Sequence, residues 1–481
     1  MISLAARKED RILLGGGLGF LTILGLGLSM DLPILISIPP AVLTGLWLCR
    51  DIRLLFFALV ASLPFSFNLE ESTRINLDFP DEALMLVLTL GTVLFLLLNG
   101  RRIAFRRWLQ HPLVLTMLVT LAWTTVTVIF SENVPLSLKY LLKKIWFLIP
   151  FLFLPSLLFR EEHTLRRSVQ GLVSGITVVA GIVLIRFSAV GFRFELVHDP
   201  MQPFFINHVS FGSMVACLTP VAVAGLLLSR KLSLQWIFSL LAIGLLVSAT
   251  YLSYSRAAWM SLLFAAFAWA MVRFRLMHYA MLGFYVCLGV LVFWLSQQNR
   301  FLDYKPKFEK TIMHESLEDH ILATIQGTDI SSAERYYRWI AAVRMSADRP
   351  LMGVGPNNFY DFYKAYTVSS FRTWVSRNHE KSTTHNYFLF MLVEQGIPAM
   401  LLYAWLIFLI FYQGQKIFAR STTRFDRIAV QGALGVVAAV FVNNFFSELI
   451  ESDKIGSLFF LALAVLVAID LKNRQEAAAH A

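Results

Sequence analysis

Long apolar runs alternate with short polar intervals along this chain, and that rhythm predicts its elements. A membrane-crossing helix needs ~20 mostly apolar residues, with ~17 as a practical minimum. Fourteen stretches approach this: 12–28, 32–48, 54–68, 83–98, 113–130, 141–159, 168–186, 208–228, 234–253, 257–272, 277–296, 387–411, 428–446 and 455–471. The first two and 257–272 are the weakest and read equally as tilted hairpins or interfacial segments. The pattern predicts an all-α fold, a polytopic membrane helix bundle of about 12–14 spanning helices. One interval is far longer than the others, the 89-residue polar segment 297–385. The expected organisation is therefore an N-terminal transmembrane bundle (1–296), a loop region (297–385) and C-terminal transmembrane helices (386–481).

The long interval carries helical periodicity of its own. Ser331 and Ser332 can cap a helix whose apolar side recurs at Tyr336, Ile340, Val343 and Ala347, with Arg335, Arg338 and Arg344 on other faces. Pro350 ends it. Gly353-Val354-Gly355-Pro356-Asn357-Asn358 makes a turn, and Phe359, Phe362, Tyr363 and Tyr366 mark a second amphipathic piece suited to the membrane interface or to a lid.

Charge then orients the bundle. Lys and Arg concentrate in alternate short loops, around Arg50 and Arg53, Arg101 to Arg107, Arg160 to Arg167, Arg230 and Lys231, Arg273 and Arg275, Lys416 to Arg427, and Lys472 and Arg474. Positive loops face the cytoplasm, so both termini are expected inside and residues 297–385 outside. The other loops fall outside, and some are acidic, such as Asn68 to Glu82 and Ser447 to Asp453. Arg7, Lys8 and Arg11 precede an apolar run that lacks a small-residue cleavage site, which reads as a retained first helix.

Composition narrows the class. The chain has 481 residues, 57% of them hydrophobic and 15% charged, with a mean hydropathy of +0.64. The net charge of +11 lies mostly in short loops, which argues against a nucleic-acid binder. Cys49, Cys217 and Cys287 fall in or beside apolar runs with no CxxC spacing, so neither a disulfide nor a metal site is expected. His314 and His320 are six residues apart, which is not the zinc spacing HExxH. No DxD pair stands in the outer loops and no Gly-rich phosphate loop appears, so neither a metal nor ATP is expected as a cofactor.

Polar groups at the outer ends carry the candidate chemistry. His385 stands where the long loop meets the run 387–411, and an unperturbed imidazole takes up a proton close to neutral pH. Its bland alternative is a satisfied interfacial histidine. Arg256, in the tight outer turn 254–256, must meet an anion or a carboxylate or else snorkel to lipid headgroups; guanidinium pairs well with phosphate oxygens. Arg186, Arg193, Lys139, Lys143, Lys144 and Arg338 add positive charge on the outer side, against the topological bias. Asn207 and His208 can contact sugar. Asn386 adjoins His385. Glu394 lies about half a turn around the helix from His385, so it is not an obvious orienting carboxylate, and its depth implies a polar partner within the bundle.

The stretches Ser255-Arg256-Ala257-Ala258-Trp259, Arg338-Trp339, Pro350-Leu351-Met352-Gly353-Val354-Gly355-Pro356-Asn357-Asn358-Phe359, and His385-Asn386-Tyr387-Phe388-Leu389 with Glu394 and Gly396 resemble the O-antigen ligase and O-antigen polymerase superfamily of bacterial polysaccharide enzymes. The resemblance covers about the C-terminal half. It implies a GT-C-like inner-membrane glycosyltransferase working on its periplasmic face, with undecaprenyl diphosphate-linked glycan as donor and no metal. It implies His385 as general base and Arg256, helped by Arg186 or Arg193, as the diphosphate group. The acceptor would be lipid A-core in a ligase, a second lipid-linked glycan in a polymerase, or a protein in an oligosaccharyltransferase. The single large roof of the outer loop favours the ligase. The rival outside enzymes is a transporter of lipid-linked glycan. Its ionisable residues are expected at mid-membrane, whereas those here gather at one face.

Overall fold

A computed structural model describes residues 51–68, 78–99, 105–302, 330–367 and 383–480. The expected helices 12–28 and 32–48, Cys49, and the pair His314 and His320 lie outside the described residues. The chain forms two units, 1–58 and 59–481. Of the first, only 51–58 are described, and they begin helix α1.

The twelve other apolar runs are all helical. They give α1 (Ile52–Ser62), α2 (Asp81–Asn99), α3 (Pro112–Ile129), α4 (Val134–Leu158), α5 (Glu162–Ala189), α6 (His208–Leu228), α7 (Leu234–Leu252), α8 (Arg256–Arg273) and α9 (Met277–Ser296). After α10 (Ile330–Asp348) in the loop region come α11 (Tyr387–Arg420), α12 (Arg424–Asn443) and α13 (Asp453–His480). Among the described residues nine helices are long and apolar enough to cross a membrane. The only strands described are the two-residue pair β1 (Phe67–Asn68) and β2 (Asp78–Phe79), antiparallel with Phe67 opposite Phe79. The result is an all-α polytopic bundle.

Several boundaries move for local reasons. The run 54–68 stops being α-helical at Ser62, where Pro64 enters a single 3-10 turn. Helix α4 begins seven residues before the apolar run 141–159, because the Asn133 side chain accepts the Leu136 N–H and Pro135 stands in the first turn. Pro150, which has no N–H to give, lies in a widened π turn at Ile149–Phe153. The innermost helices are α12 and α13, with 83% and 94% of their spans buried, while α9 buries 6%.

Helix α11 breaks at Gly396 (φ 80°, ψ 177°), a conformation open essentially to glycine alone. A Cβ there would lie 1.9 Å from the Leu351 carbonyl oxygen. The turn after α10 docks into this break: Val354 N–H donates to Val393 O (3.0 Å), Gly355 N–H to Glu394 O (2.9 Å), and Ile397 N–H to Pro350 O (2.8 Å). Residues 397–420 alone, at ~1.5 Å per residue, are ~36 Å long and suffice to span the ~30 Å hydrocarbon core.

The described part of the long loop, residues 330–367, packs onto the bundle. Phe359 and Tyr363 cluster with Ala341, Ala342, Met345 and Val354, and with Val393 of α11. The buried face of α10 differs from the one its apolar spacing predicts. Val343 is 39% exposed, whereas Arg338 is 2% exposed and Glu334 is buried beside it. The ion pair carries the arginine inward, and a reading that counts apolar side chains places it outside.

Candidate functional site

Contacts among the connecting segments sort them into two ends. At one end, Lys454 Nζ donates to Ser66 O (2.8 Å) and to the Phe204 carbonyl, Lys143 pairs with Asp453 (2.8 Å), and Glu132 N–H donates to Val354 O (3.1 Å). Tyr254 Oη donates to Phe192 O (2.9 Å) and Tyr387 N–H to Asn444 O (2.7 Å) there. At the other, His111 and Arg474 hold Asp470, Lys472 holds Asp426, and Arg424 donates to Leu227 O. This is the grouping that alternate loops of a spanning bundle require, and His385 belongs to the first end.

The candidate site forms where α10, the segment 383–386 and the segment 444–451 converge. Arg338 Nε and Nη2 donate to Glu334 Oε1 (3.1 and 3.0 Å), one helical turn earlier. Its Nη1 donates to Thr383 O (2.8 Å) and lies 3.5 Å from His385 Nε2, and its guanidinium stands over the Tyr363 ring at 5.8 Å. Trp339 Nε1 donates to Thr384 O (3.1 Å), so two consecutive residues of α10 grip the backbone before His385. Buried Thr384 Oγ1 donates to Asn386 O (2.8 Å), and the Asn386 side chain caps α11 by accepting from Phe388 and Leu389 N–H. His385 between them has φ 52°, a left-handed conformation uncommon for non-glycine residues and often found where a side chain must be aimed.

On its other side His385 Nδ1 faces Glu448 Oε1 at 3.9 Å. A guanidinium only donates, so the nitrogen nearest Arg338, Nε2, is assigned the lone pair and Nδ1 the proton that points toward Glu448. Burial, then Arg335 and Arg338, push the His385 imidazole down to about 3. Burial pushes Glu448 up to about 7 against the opposing pull of Arg338 and Arg335 and of the His385 backbone N–H. The imidazole is thus neutral at physiological pH, with a carboxyl that titrates near neutrality on its far side. Below them Glu451 accepts from Tyr387 Oη (2.7 Å), Tyr140 Oη (3.0 Å) and Lys144 Nζ (2.7 Å), tying α4, α11 and the 449–451 turn together.

The expected site residues fall into three sets. His385, Arg338 and Asn386 come together, with Asn386 acting as a cap. Arg256, Arg186, Arg193, Asn207 and His208 stand around the neighbouring turns of the same end. There Ser255 caps α8 at Arg256, and Tyr254 packs against Phe187 and Phe194. Arg186 donates to Gln202 O and Arg193 pairs with Glu195 (2.6 Å). Asn207 caps α6 by accepting from Ser210 N–H (2.9 Å), and the His208 ring packs on His198. The two sets join through the start of α6. A Cβ on Gly212 would lie 2.4 Å from Ser253 Oγ, so glycine lets the 253–256 turn close on α6, and Ser213 Oγ donates to Asn443 Oδ1 (2.9 Å) beside Asn444.

Glu394 forms the third set. The polar partner its depth called for is backbone: its carboxylate accepts Asn357 N–H (2.6 Å) and Phe359 N–H (3.1 Å) and clamps the turn after α10. It reads as a loop-positioning group. Reasoning from sequence missed Glu334, Glu448 and Glu451. The i,i+4 spacing of Glu334 and Arg338 was a usable signal. So were the acids between Ser447 and Asp453, which served only to orient the chain.

Apolar spans and two opposite sets of connecting segments define a multi-pass membrane protein, and the polar cluster at one end is its candidate site. Residues 241–404, about a third of the chain, match the family described as O-Antigen ligase. The matched stretch runs from α7 into α11 and includes Arg256, Arg338, His385 and Glu394, whereas Glu448 lies beyond it. No curated protein matches the chain.

Proposed function

We propose that the chain is a periplasmic-facing O-antigen ligase of the bacterial inner membrane, with both termini cytoplasmic, which moves a glycan from undecaprenyl diphosphate to lipid A-core. The observation that carries this reading is His385, held between Arg338 and Glu448 at one end of the bundle, inside the family match. His385 Nε2 takes the proton of the acceptor hydroxyl while that oxygen attacks the anomeric carbon. The bond from the anomeric carbon to the phosphate oxygen breaks, its electron pair leaves with undecaprenyl diphosphate, and the configuration inverts. Arg256, with Arg186 or Arg193, balances the charge that grows on the leaving diphosphate.

The resting electrostatics support a coupled step. Arg335 and Arg338 oppose a proton on His385. A diphosphate entering beside these two arginines offsets their field, so His385 becomes a stronger base when donor is bound. Glu448 beside Nδ1 then favours the imidazolium. In this scheme Arg338 is a positioning residue, since Glu334 and Thr383 already take its donors.

The test is reconstitution with undecaprenyl diphosphate-linked glycan, with and without lipid A-core, beside His385→Ala and Arg256→Ala. Transfer to lipid A-core that His385→Ala abolishes is the expected result, with weakened donor use in Arg256→Ala. A ladder of lengthening lipid-linked glycan without lipid A-core would make the chain a polymerase. Wild-type turnover by folded His385→Ala would remove the base assignment, and the absence of any product would return the transporter.

A further inference from the structure

The end of the bundle opposite His385 holds a cavity of about 510 Å³ that the proposed reaction does not use. Its walls come from α5, α6, α7, α12 and α13, with Leu172, Leu218, Phe238, Ala433, Val436 and Leu461 among them. Two of its lining hydroxyls are turned back onto their own helices, Ser168 donating to Thr164 O and Ser229 to Gly225 O, and the lining is mostly apolar. Along α12 the lining runs from Phe425 to Val436, and eleven residue steps of ~1.5 Å make a slot ~16 Å deep. That is about half of the ~30 Å hydrocarbon core, the depth of one leaflet.

The rim is basic. Arg166 lines the cavity with its guanidinium over the Phe425 ring at 5.4 Å and shares an exposed contact with Glu162 (2.8 Å). Arg424 lies across from it where α6 ends, donating to Leu227 O (2.7 Å). Exposed Arg230 and Lys231 follow directly on Ser229, which lines the slot. The nearby acid Asp426 is buried and paired with Lys472 (3.1 Å). An apolar slot one leaflet deep beneath a cationic rim fits a two-part ligand, an aliphatic chain below and an anionic headgroup above.

We infer that this slot seats one acyl chain of an anionic glycerophospholipid, with its phosphate at Arg166 and Arg424. The depth argues for such a chain, which ends at the bilayer midplane, over a polyisoprenoid tail that would run beyond it. Ala433→Phe places a ring in the slot without touching the His385 end, and Val169→Trp blocks it from the half-buried wall of α5. Arg166→Gln with Arg424→Gln removes the rim charge.

The experiment is native mass spectrometry of the full chain, delipidated and then supplied with phosphatidylglycerol or phosphatidylcholine in equal amounts. The wild type is expected to retain one phosphatidylglycerol per chain. At least a tenfold lower occupancy is expected in Ala433→Phe or, should that variant elute as aggregate, in Val169→Trp. The double glutamine variant is expected to take the two lipids equally. Undiminished phosphatidylglycerol in a folded slot-filling variant would overturn the inference. So would a retained mass equal to a polyisoprenyl diphosphate, or no retained lipid in the wild type.

Discussion

Replacing Arg338 by methionine removes the guanidinium paired with Glu334, which is 5% exposed. Breaking a buried pair in this way costs about 3–5 kcal/mol. The donor to Thr383 O is lost as well, at about 1–3 kcal/mol for an acceptor left unsatisfied. Arg338→Met should therefore lose at least ~3 kcal/mol in guanidinium unfolding of the detergent-solubilised protein. Adding Glu334→Leu removes the buried carboxylate as well and should recover at least ~2 kcal/mol, because an apolar pair can equal or exceed a buried ion pair. A second readout separates electrostatics from packing. In the wild type, nitrogen NMR of labelled histidine should show His385 neutral at pH 5, since its imidazole is pushed down to about 3. In the double variant one of its two opposing cations is gone, and its titration should move up toward the ordinary value of about 6.5. Arg338→Met as stable as wild type, or a His385 titration unmoved by the double change, would refute the account of this cluster.

Three further outcomes follow from individual contacts. Glu448 is pushed up to about 7, so it ionises as pH rises through neutrality and should give the rate a rising limb there. Glu448→Gln should flatten that limb and lower kcat while the fold survives, as read in a pH–rate profile. Glu394→Gln sets an amide N–H₂ against one of the two N–H groups the carboxylate now accepts, costing about 1–3 kcal/mol in unfolding with donor KM unchanged. A rise in donor KM at unchanged stability would instead make Glu394 a substrate contact. Gly396→Ala forces a Cβ against the Leu351 carbonyl at a strained φ, and the strain alone amounts to about 1–3 kcal/mol. It should release the docked turn, seen as faster proteolysis between residues 350 and 358.

Helices and their order were legible because a bilayer leaves little choice. Backbone polar groups must be satisfied within each span, so ~20 apolar residues in a row already name a helix. Turn chemistry was legible for the same local reason: Pro350 and the Gly353 to Asn358 stretch announce the reversal after α10. Charge spacing was read less well. Arg338 was placed on a polar face of α10 because its partner Glu334, one turn earlier, went unread, although an i,i+4 pair can be buried as a unit.

By itself the sequence determined the all-helical bundle, the alternation of its loops between two ends and the position of His385 at the foot of a long loop. All of these depend on local hydrophobicity and local turn residues. Only the tertiary structure decided that Glu448, 63 residues further on, faces His385, that Arg338 points inward, and that Glu394 clamps a turn. Those pairings depend on how spans stack side by side. Hydropathy is silent on that, since every span presents much the same apolar surface to lipid and to its neighbours.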